Sequence, residues 1–181
     1  VMAAYYKPLK SYLPKDFVWD DAEELVVRTL AEAQNFQAPN GGMSFYIPRD
    51  EVVSPYLTAF TSLAFTWFSK LGYVVPLDVD NKLDRYLLEY LKKDSSPDYY
   101  SKGMTTSMRA IILAALSKKN KVDIKDLARL ESHLAEMDLF GKAHLLLAAS
   151  NVSESENLQK KFAGFLENVL QRVDTKKFYL L

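Results

Sequence analysis

The chain has 181 residues, 49% of them hydrophobic, which suits one domain with a substantial core and excludes a disordered chain. Lys plus Arg and Asp plus Glu number 23 each, so no basic excess exists to neutralise nucleic-acid phosphates. Cysteine is absent, which excludes disulfides, Cys-based metal sites and a Cys nucleophile within this chain.

In chain order the hydrophobic periodicity predicts helices throughout and no period-two strand. Segment one covers Met2–Tyr12, with Pro8 inside it to kink or shorten it. Segment two runs from Asp20 to Phe36, with Asp20 or Asp21 as cap and Glu23 and Glu24 at its positive end. Segment three is Ser54–Leu71, capped by Ser54, with Pro55 at the first helical position and Gly72 as its stop. Segment four is Val79–Lys93, capped by Asp78, and segment five is Met104–Lys118. Segment six starts at Asp123 and ends near Ala135, and segment seven is Asp138–Ser150. Segment eight follows a Ser153 cap to about Val173. The longest apolar stretch, Ala59–Phe68, is interrupted by Thr and Ser and falls short of the roughly 18 residues of a membrane span.

The patterns sort these helices into two kinds. Segments two, four, six and eight carry one apolar stripe and one polar face. Segment two has Ala22, Leu25, Val26, Leu30 and Ala33; segment four has Val79, Leu83, Tyr86, Leu87, Tyr90 and Leu91. Segment six has Ile124, Leu127, Leu130 and Leu134. Segment eight has Leu158, Phe162, Phe165, Leu166, Val169, Leu170 and Val173. Segments three, five and seven are apolar nearly all round, as in Ala110–Leu116 and Leu145–Ala149, which predicts burial on most sides. Alternating outer and inner helices predict an all-α fold, an α/α toroid or solenoid, and the pattern alone also fits a superhelical repeat array. Inner helices then run the same way and gather their N-termini on one face, with the long loops 37–53 and 94–102. Phe45, Tyr46, Tyr56, Tyr99 and Tyr100 are expected near that face, either as ordinary packing over helix ends or as a shielding or binding surface.

Other short patterns carry little chemistry. Asp20–Glu24 reads as an acidic first helical turn in place of an Asp-rich metal site, because no second Asp-rich motif follows. Asp78–Asp84 lacks the central Gly and terminal Glu of a calcium loop. His133 and His144, the two histidines, lack zinc-ligand spacing. Asn40–Gly42 lacks the Lys of a phosphate-binding loop, and no Gly-x-Ser-x-Gly elbow occurs. Asn151–Ser153 is a formal glycosylation triplet that reads better as a helix stop followed by a cap. No catalytic residue, metal or cofactor is assigned.

The stretch LAEAQNFQAPNGGMSFYIPRDEVVSPYLTAFTSLAFTWFSKLGYVVP, residues 30–76, resembles the thioester domain of α2-macroglobulin-type proteins, especially the bacterial ones. The resemblance rests on Gln37, Gly41, Gly42, Phe45, Asp50, Glu51, Ser54, the run Tyr56–Phe60, and Gly72 through Pro76. A second block, residues 104–150, is similar to the bacterial form. The resemblance implies residues 1–181 as a fragment of one such domain, and so a partial α/α toroid without the helices that would close it. It implies a non-enzymatic protease inhibitor, with target proteases and other domains of the same parent chain as partners. In that family a Cys-x-Glu-Gln motif forms an internal thioester. Bait cleavage then exposes it, and it acylates the attacking protease. A buried thioester needs water excluded. This chain has no Cys and forms no thioester by itself.

Val1 is expected to fall just past that motif, or else the parent belongs to the thioester-free members. Gly41, Gly42, Phe45, Tyr46 and Tyr56 are the implied shielding residues. The family implies a periplasmic or cell-envelope setting, with any lipid anchor on the parent and no membrane contact by this fragment. Two other readings stand beside it. A toroid enzyme of the terpene-cyclase or prenyltransferase type would need acids on the inner helices, which segments three and five barely supply. A helical-repeat binding module would need a common repeat consensus.

Overall fold

Each predicted segment contains a helix, while several predicted caps and ends fall differently. The structure, a computed structural model, describes residues 1–47, 52–93 and 96–175. Its helices are α1 (Met2–Leu9), α2 (Ala22–Glu32), α3 (Pro55–Lys70), α4 (Leu77–Lys92), α5 (Lys102–Ser117), α6 (Ile124–Arg129), α7 (Leu139–Ala149) and α8 (Glu156–Thr175). No strand occurs among the described residues, and the fold is all-α. The chain divides into two compact units, Val1–Glu89 and Tyr90–Leu181.

In the first unit Pro8 does shorten its helix: α1 tightens into a 3-10 turn at Lys10–Tyr12. The linker after it is pinned by Tyr6, whose hydroxyl accepts from the Trp19 N–H at 3.2 Å. Segment two ends earlier than predicted, since the chain passes from α2 into a 3-10 turn at Ala33–Phe36. Asp21 precedes α2 but its side chain caps nothing; only its carbonyl accepts, from Leu25 N–H at 2.9 Å. Ser54 does cap α3, accepting from Leu57 N–H at 3.2 Å, with Pro55 next. The far end of α3 is a Schellman stop. Gly72 sits at φ +86°, its N–H reaches Ser69 O, and Tyr73 N–H reaches Phe68 O at 3.0 Å. The Phe68 and Tyr73 rings meet edge-on at 6.1 Å, supplying the apolar contact of that motif. α4 begins at Leu77, so Asp78 lies inside the first turn and pairs with Lys82 at 2.7 Å instead of capping. The core joins Ala4, Val26, Leu30, Phe65, Phe68 and Leu83. Asp84 is buried there too, with Ser62 of α3 donating to it at 3.3 Å.

In the second unit α5 starts two residues before the predicted point because Ser101 caps it, accepting from Met104 N–H at 3.2 Å. It ends with Asn120 in the left-handed region at φ 55°, Lys121 N–H bonding Leu116 O. Segment six is broken: Asp123 and Asp126 form a capping box, but α6 stops at Arg129 and a 3-10 turn spans Glu131–His133. Asp138, expected as the first residue of segment seven, caps α7, accepting from Gly141 N–H at 2.6 Å. Ser153 caps nothing described. α8 starts at Glu156 after a positive φ at Glu154, and Ser155, fully buried, donates to Ala149 O and lies within 2.7 Å of Val152 O. α7 is less enclosed than its composition predicts. Leu145, Ala148 and Ala149 are buried, whereas Leu139 and Phe140 are exposed. α5 is buried continuously from Ala110 to Ser117. Val169, Leu170 and Val173 lie outside the residues whose side chains are described.

Candidate functional site

The most elaborate local structure lies between α2 and α3, in the first unit. Gln37 and Met43 form an isolated antiparallel bridge. Inside it Ala38 N–H donates to Gly42 O and Gly41 N–H to Ala38 O, both at 2.9 Å. Asn40 accepts the Gly42 N–H on its side-chain oxygen at 3.0 Å, a side-chain-supported turn. Gly41 has φ +91°, and a Cβ there would sit 2.6 Å from the Lys82 carbonyl oxygen of α4. At Gly42 a Cβ would meet Val53 at 2.8 Å. Both glycines are therefore demanded by backbone conformation or close approach, and no phosphate cradle is involved.

Side chains then fasten this hairpin to the helices. The Gln37 amide donates to Gly41 O and to Val79 O, both at 3.0 Å, tying it to the first turn of α4. Thr58, buried in α3, accepts the Met43 N–H at 2.8 Å and donates to Ser54 O at 2.7 Å. Met43 O accepts the Ser54 N–H at 2.9 Å. The cap residue of α3 is thus also the anchor of the hairpin.

Beyond this clamp the chain turns outward. Phe45, Tyr46 and Ile47 are 64%, 82% and 69% exposed. Tyr56 is 40% exposed and stacks on Phe60, ring centroids 5.9 Å apart at 18°. Between α2, the hairpin and α3 lies an open groove of about 440 Å³, walled mainly by Phe36, Met43, Phe45, Leu57, Phe60 and Phe65. That size suits a drug-sized group. Its wall is chiefly apolar, so it can exclude water from a group placed against it. Asp50 and Glu51, part of the family-like pattern, lie outside the described residues.

Other predicted positions have surroundings of their own. Tyr99 and Tyr100 belong to the second unit, edge to face at 5.1 Å just before the Ser101 cap. Near them burial, then the charge of Tyr100, push the Tyr90 phenol up to about 12 against an opposing effect of Arg109. His133 Nδ1 lies 3.2 Å from Glu136, and His144 Nδ1 is 2.8 Å from the Phe140 carbonyl. Asn151 spends its amide on Ser117 Oγ and Leu147 O, in keeping with a helix stop. Glu23 of the acidic turn accepts from the Tyr73 hydroxyl at 3.0 Å. Burial, then that hydrogen bond, raise the Tyr73 pKa. No group of three His, Cys, Asp or Glu among the described residues is placed to hold a metal. No described helix is long and apolar enough to cross a membrane. The sequence reading missed the double role of Thr58 and the cap at Ser101. A Ser two residues ahead of a Gly-containing helix start was the available signal for the latter.

No known family description matches the sequence, and no curated protein matches it. Solved structures do match in fold. Salmonella alpha-2-macroglobulin reacted with methylamine superposes with a TM-score of 0.73 at 19% identity, over 84% of this chain and 10% of that one. Native Escherichia coli alpha-2-macroglobulin gives 0.71 at 18%, over 83% and 10%. The E. coli protein from domain MG7 to the C-terminus gives 0.71 at 17%, over 84% and 24%. This chain therefore spans about a tenth of the length of the two longer chains. At these identities the likeness is one of fold: the chain is similar in fold to a segment of bacterial alpha-2-macroglobulins lying between MG7 and the C-terminus.

Proposed function

We propose that the chain is part of the thioester-type domain of a bacterial α2-macroglobulin-like protease inhibitor, itself without enzymatic activity. The observation that carries this reading is the fold likeness over more than four fifths of the chain, at TM-scores of 0.71 to 0.73. It is supported by residues 37–60. The positions that resemble the family by sequence are those that build the hairpin, its clamp and the cap of α3. On this reading the helices belong to a partial α/α toroid of one domain. Gly41 and Gly42 set the hairpin, and Phe45, Tyr46 and Tyr56 keep water from a reactive group supplied by the parent chain. The partners are target proteases and other parent domains, in the periplasm or cell envelope, in host defence or colonisation.

The parent protein tests this. It should carry Cys-x-Glu-Gln shortly before Val1, release one thiol with methylamine, and form SDS-stable conjugates with a cleaving protease. In it, Phe45→Ser should speed spontaneous thiol release. A parent with the motif whose thiol release is indifferent to Phe45→Ser and Tyr56→Ser overturns the shielding role. A parent that neither carries the motif nor inhibits any protease overturns the family reading.

A further inference from the structure

The hairpin before α3 has two sides. Phe36, Met43, Ser44 and Phe45 line the apolar groove. Gln37, Ala38 and Pro39 line a separate polar cleft, together with Asp78 and Lys82 of α4. The Gln37 amide joins the hairpin to that helix. It donates to Gly41 O within the hairpin and to Val79 O in the first turn of α4, both at 3.0 Å. The Gln37 backbone pairs with Met43 in the antiparallel bridge, and the preceding Phe36 accepts the Ser44 N–H at 2.9 Å. Gln37 therefore stands behind the groove and holds the backbone that carries its aromatic wall. One NH₂ group serving two carbonyl oxygens is a donor match that neither a carboxylate nor a thioether reproduces.

We propose that Gln37 is a positioning residue for the groove: through its bond to α4 it fixes how far the hairpin wall stands from α3, and so how well that wall excludes water. Gly41 permits the close approach to the Lys82 carbonyl, and Gln37 holds it. Thr58 and Ser54 fasten the same wall to α3 at Met43. The wall is thus held from both sides. Releasing the α4 side alone lets it turn about the Met43 anchor, which opens the groove without unfolding either helix. The consequence for a reactive group rests on the shielding reading above, whereas the positioning itself is a property of this chain.

The test compares Gln37→Met and Gln37→Glu, which keep the side-chain length, with Gly72→Ala, a change in the same unit away from the hairpin. In the 181-residue chain, Gln37→Met should speed amide exchange at Ala38 and Gly41 about tenfold, the worth of one lost hydrogen bond. It should also move the methyl resonance of Met43, which shares a core cluster with Phe65, while amides within α2 and α3 keep their rates. Gln37→Glu should show the same defect at neutral pH and recover in part below about pH 4, where the protonated carboxyl regains one donor. Wild type and Gln37→Met keep Asp78 and Lys82 and so account for the titration of those neighbours. In the parent, spontaneous thiol release should rise about tenfold with Gln37→Met and stay unchanged with Gly72→Ala. Unchanged exchange and an unmoved Met43 resonance overturn the positioning role. So does a Gln37→Glu defect that acidification leaves in place, because packing and not the donor is then what was lost. A hairpin that loosens as expected in a parent whose thiol release is indifferent overturns the effect on water exclusion. A parent with no releasable thiol counts against the shielding reading instead, and the exchange measurements still decide the positioning.

Discussion

The two units solve the same problem, bringing backbones close, by different means. In the first, the hairpin before α3 approaches α4 through a glycine in a conformation other residues resist, and polar side chains lock it. In the second, α5 and α7 approach as regular helices with small residues between them: a Cβ on Gly141 would lie 2.4 Å from Ser107 Oγ and 2.8 Å from its Cα. One contact is specified by dihedral angle and hydrogen bonding; the other is set chiefly by side-chain size, with Ser107 Oγ also donating to the Asp138 cap of α7 at 2.9 Å. The first kind leaves a groove and an exposed aromatic tip. The second leaves a sealed core of Ala110, Leu113, Ala114, Leu145 and Ala148.

Substitution by alanine separates these mechanisms. Gly41→Ala should be the most damaging change. It adds left-handed strain of about 1–2 kcal/mol to a clash with the Lys82 carbonyl, for a loss near ~3 kcal/mol in urea unfolding. Gly72 gives the control, since it shares the positive φ, at +86°, but a Cβ there meets nothing within 4 Å. Gly72→Ala should therefore cost only the strain, about 1 kcal/mol. Equal losses at the two sites would mean that the close approach to α4 contributes nothing.

Gly141→Ala tests the other mechanism. In an ordinary helix that change is favourable by roughly 0.5–1 kcal/mol. Here the sign should reverse to a net loss of about 2 kcal/mol, because α5 must move away from α7. Ser107→Ala should not restore it, since the Ser107 Cβ and Cα remain too close. Thr58→Val comes next. It keeps the shape and removes the hydroxyl, leaving the Met43 N–H without its acceptor, at a cost of about 1.5 kcal/mol. The loss should be accompanied by faster amide exchange confined to residues 37–44, because the hairpin and not the helix loses its anchor.

How much of this was legible follows the same division. Helix type and order came through because apolar spacing and cap residues act locally: Ser54, Pro55 and Gly72 predict both ends of α3, and Asp138 predicts the start of α7. The break of segment six after Arg129 was hidden, because Leu127, Leu130 and Leu134 keep helical spacing and are all buried through a 3-10 turn. Ser153 was a plausible cap by type, but the burial of Ser155 against the end of α7 is a tertiary choice. At the candidate site the glycine pair was visible as a turn, and the family resemblance singled out Gln37 and Thr58 by position. Their hydrogen bonds to Val79 and Met43 were not visible, since they join residues 42 and 15 apart in sequence.

The smallest expected effect asks whether charge adds anything to the size-driven approach in the second unit. Glu136 sits where α5 comes close: a Cβ on Gly103 would lie 2.7 Å from its carbonyl oxygen, while its carboxylate pairs with Lys102 at 2.5 Å and His133 at 3.2 Å. The hydrogen bond from Lys102, with lesser help from His133 against some desolvation, holds its pKa below the usual 4.5. A depressed carboxylate stabilises the fold above its unfolded value, and that contribution is lost as pH falls through the lower folded value. Wild type should therefore lose stability on acidification from about pH 4.5 downward slightly more steeply than Glu136→Gln, with the two parallel at neutral pH. The pair is solvent-exposed, so added salt should flatten the difference. Gly103→Ala should outweigh Glu136→Gln at every pH, because the backbone approach, and not the ion pair over it, sets the spacing. A larger effect from Glu136→Gln would reverse that order and make electrostatics the organiser of this end of α5.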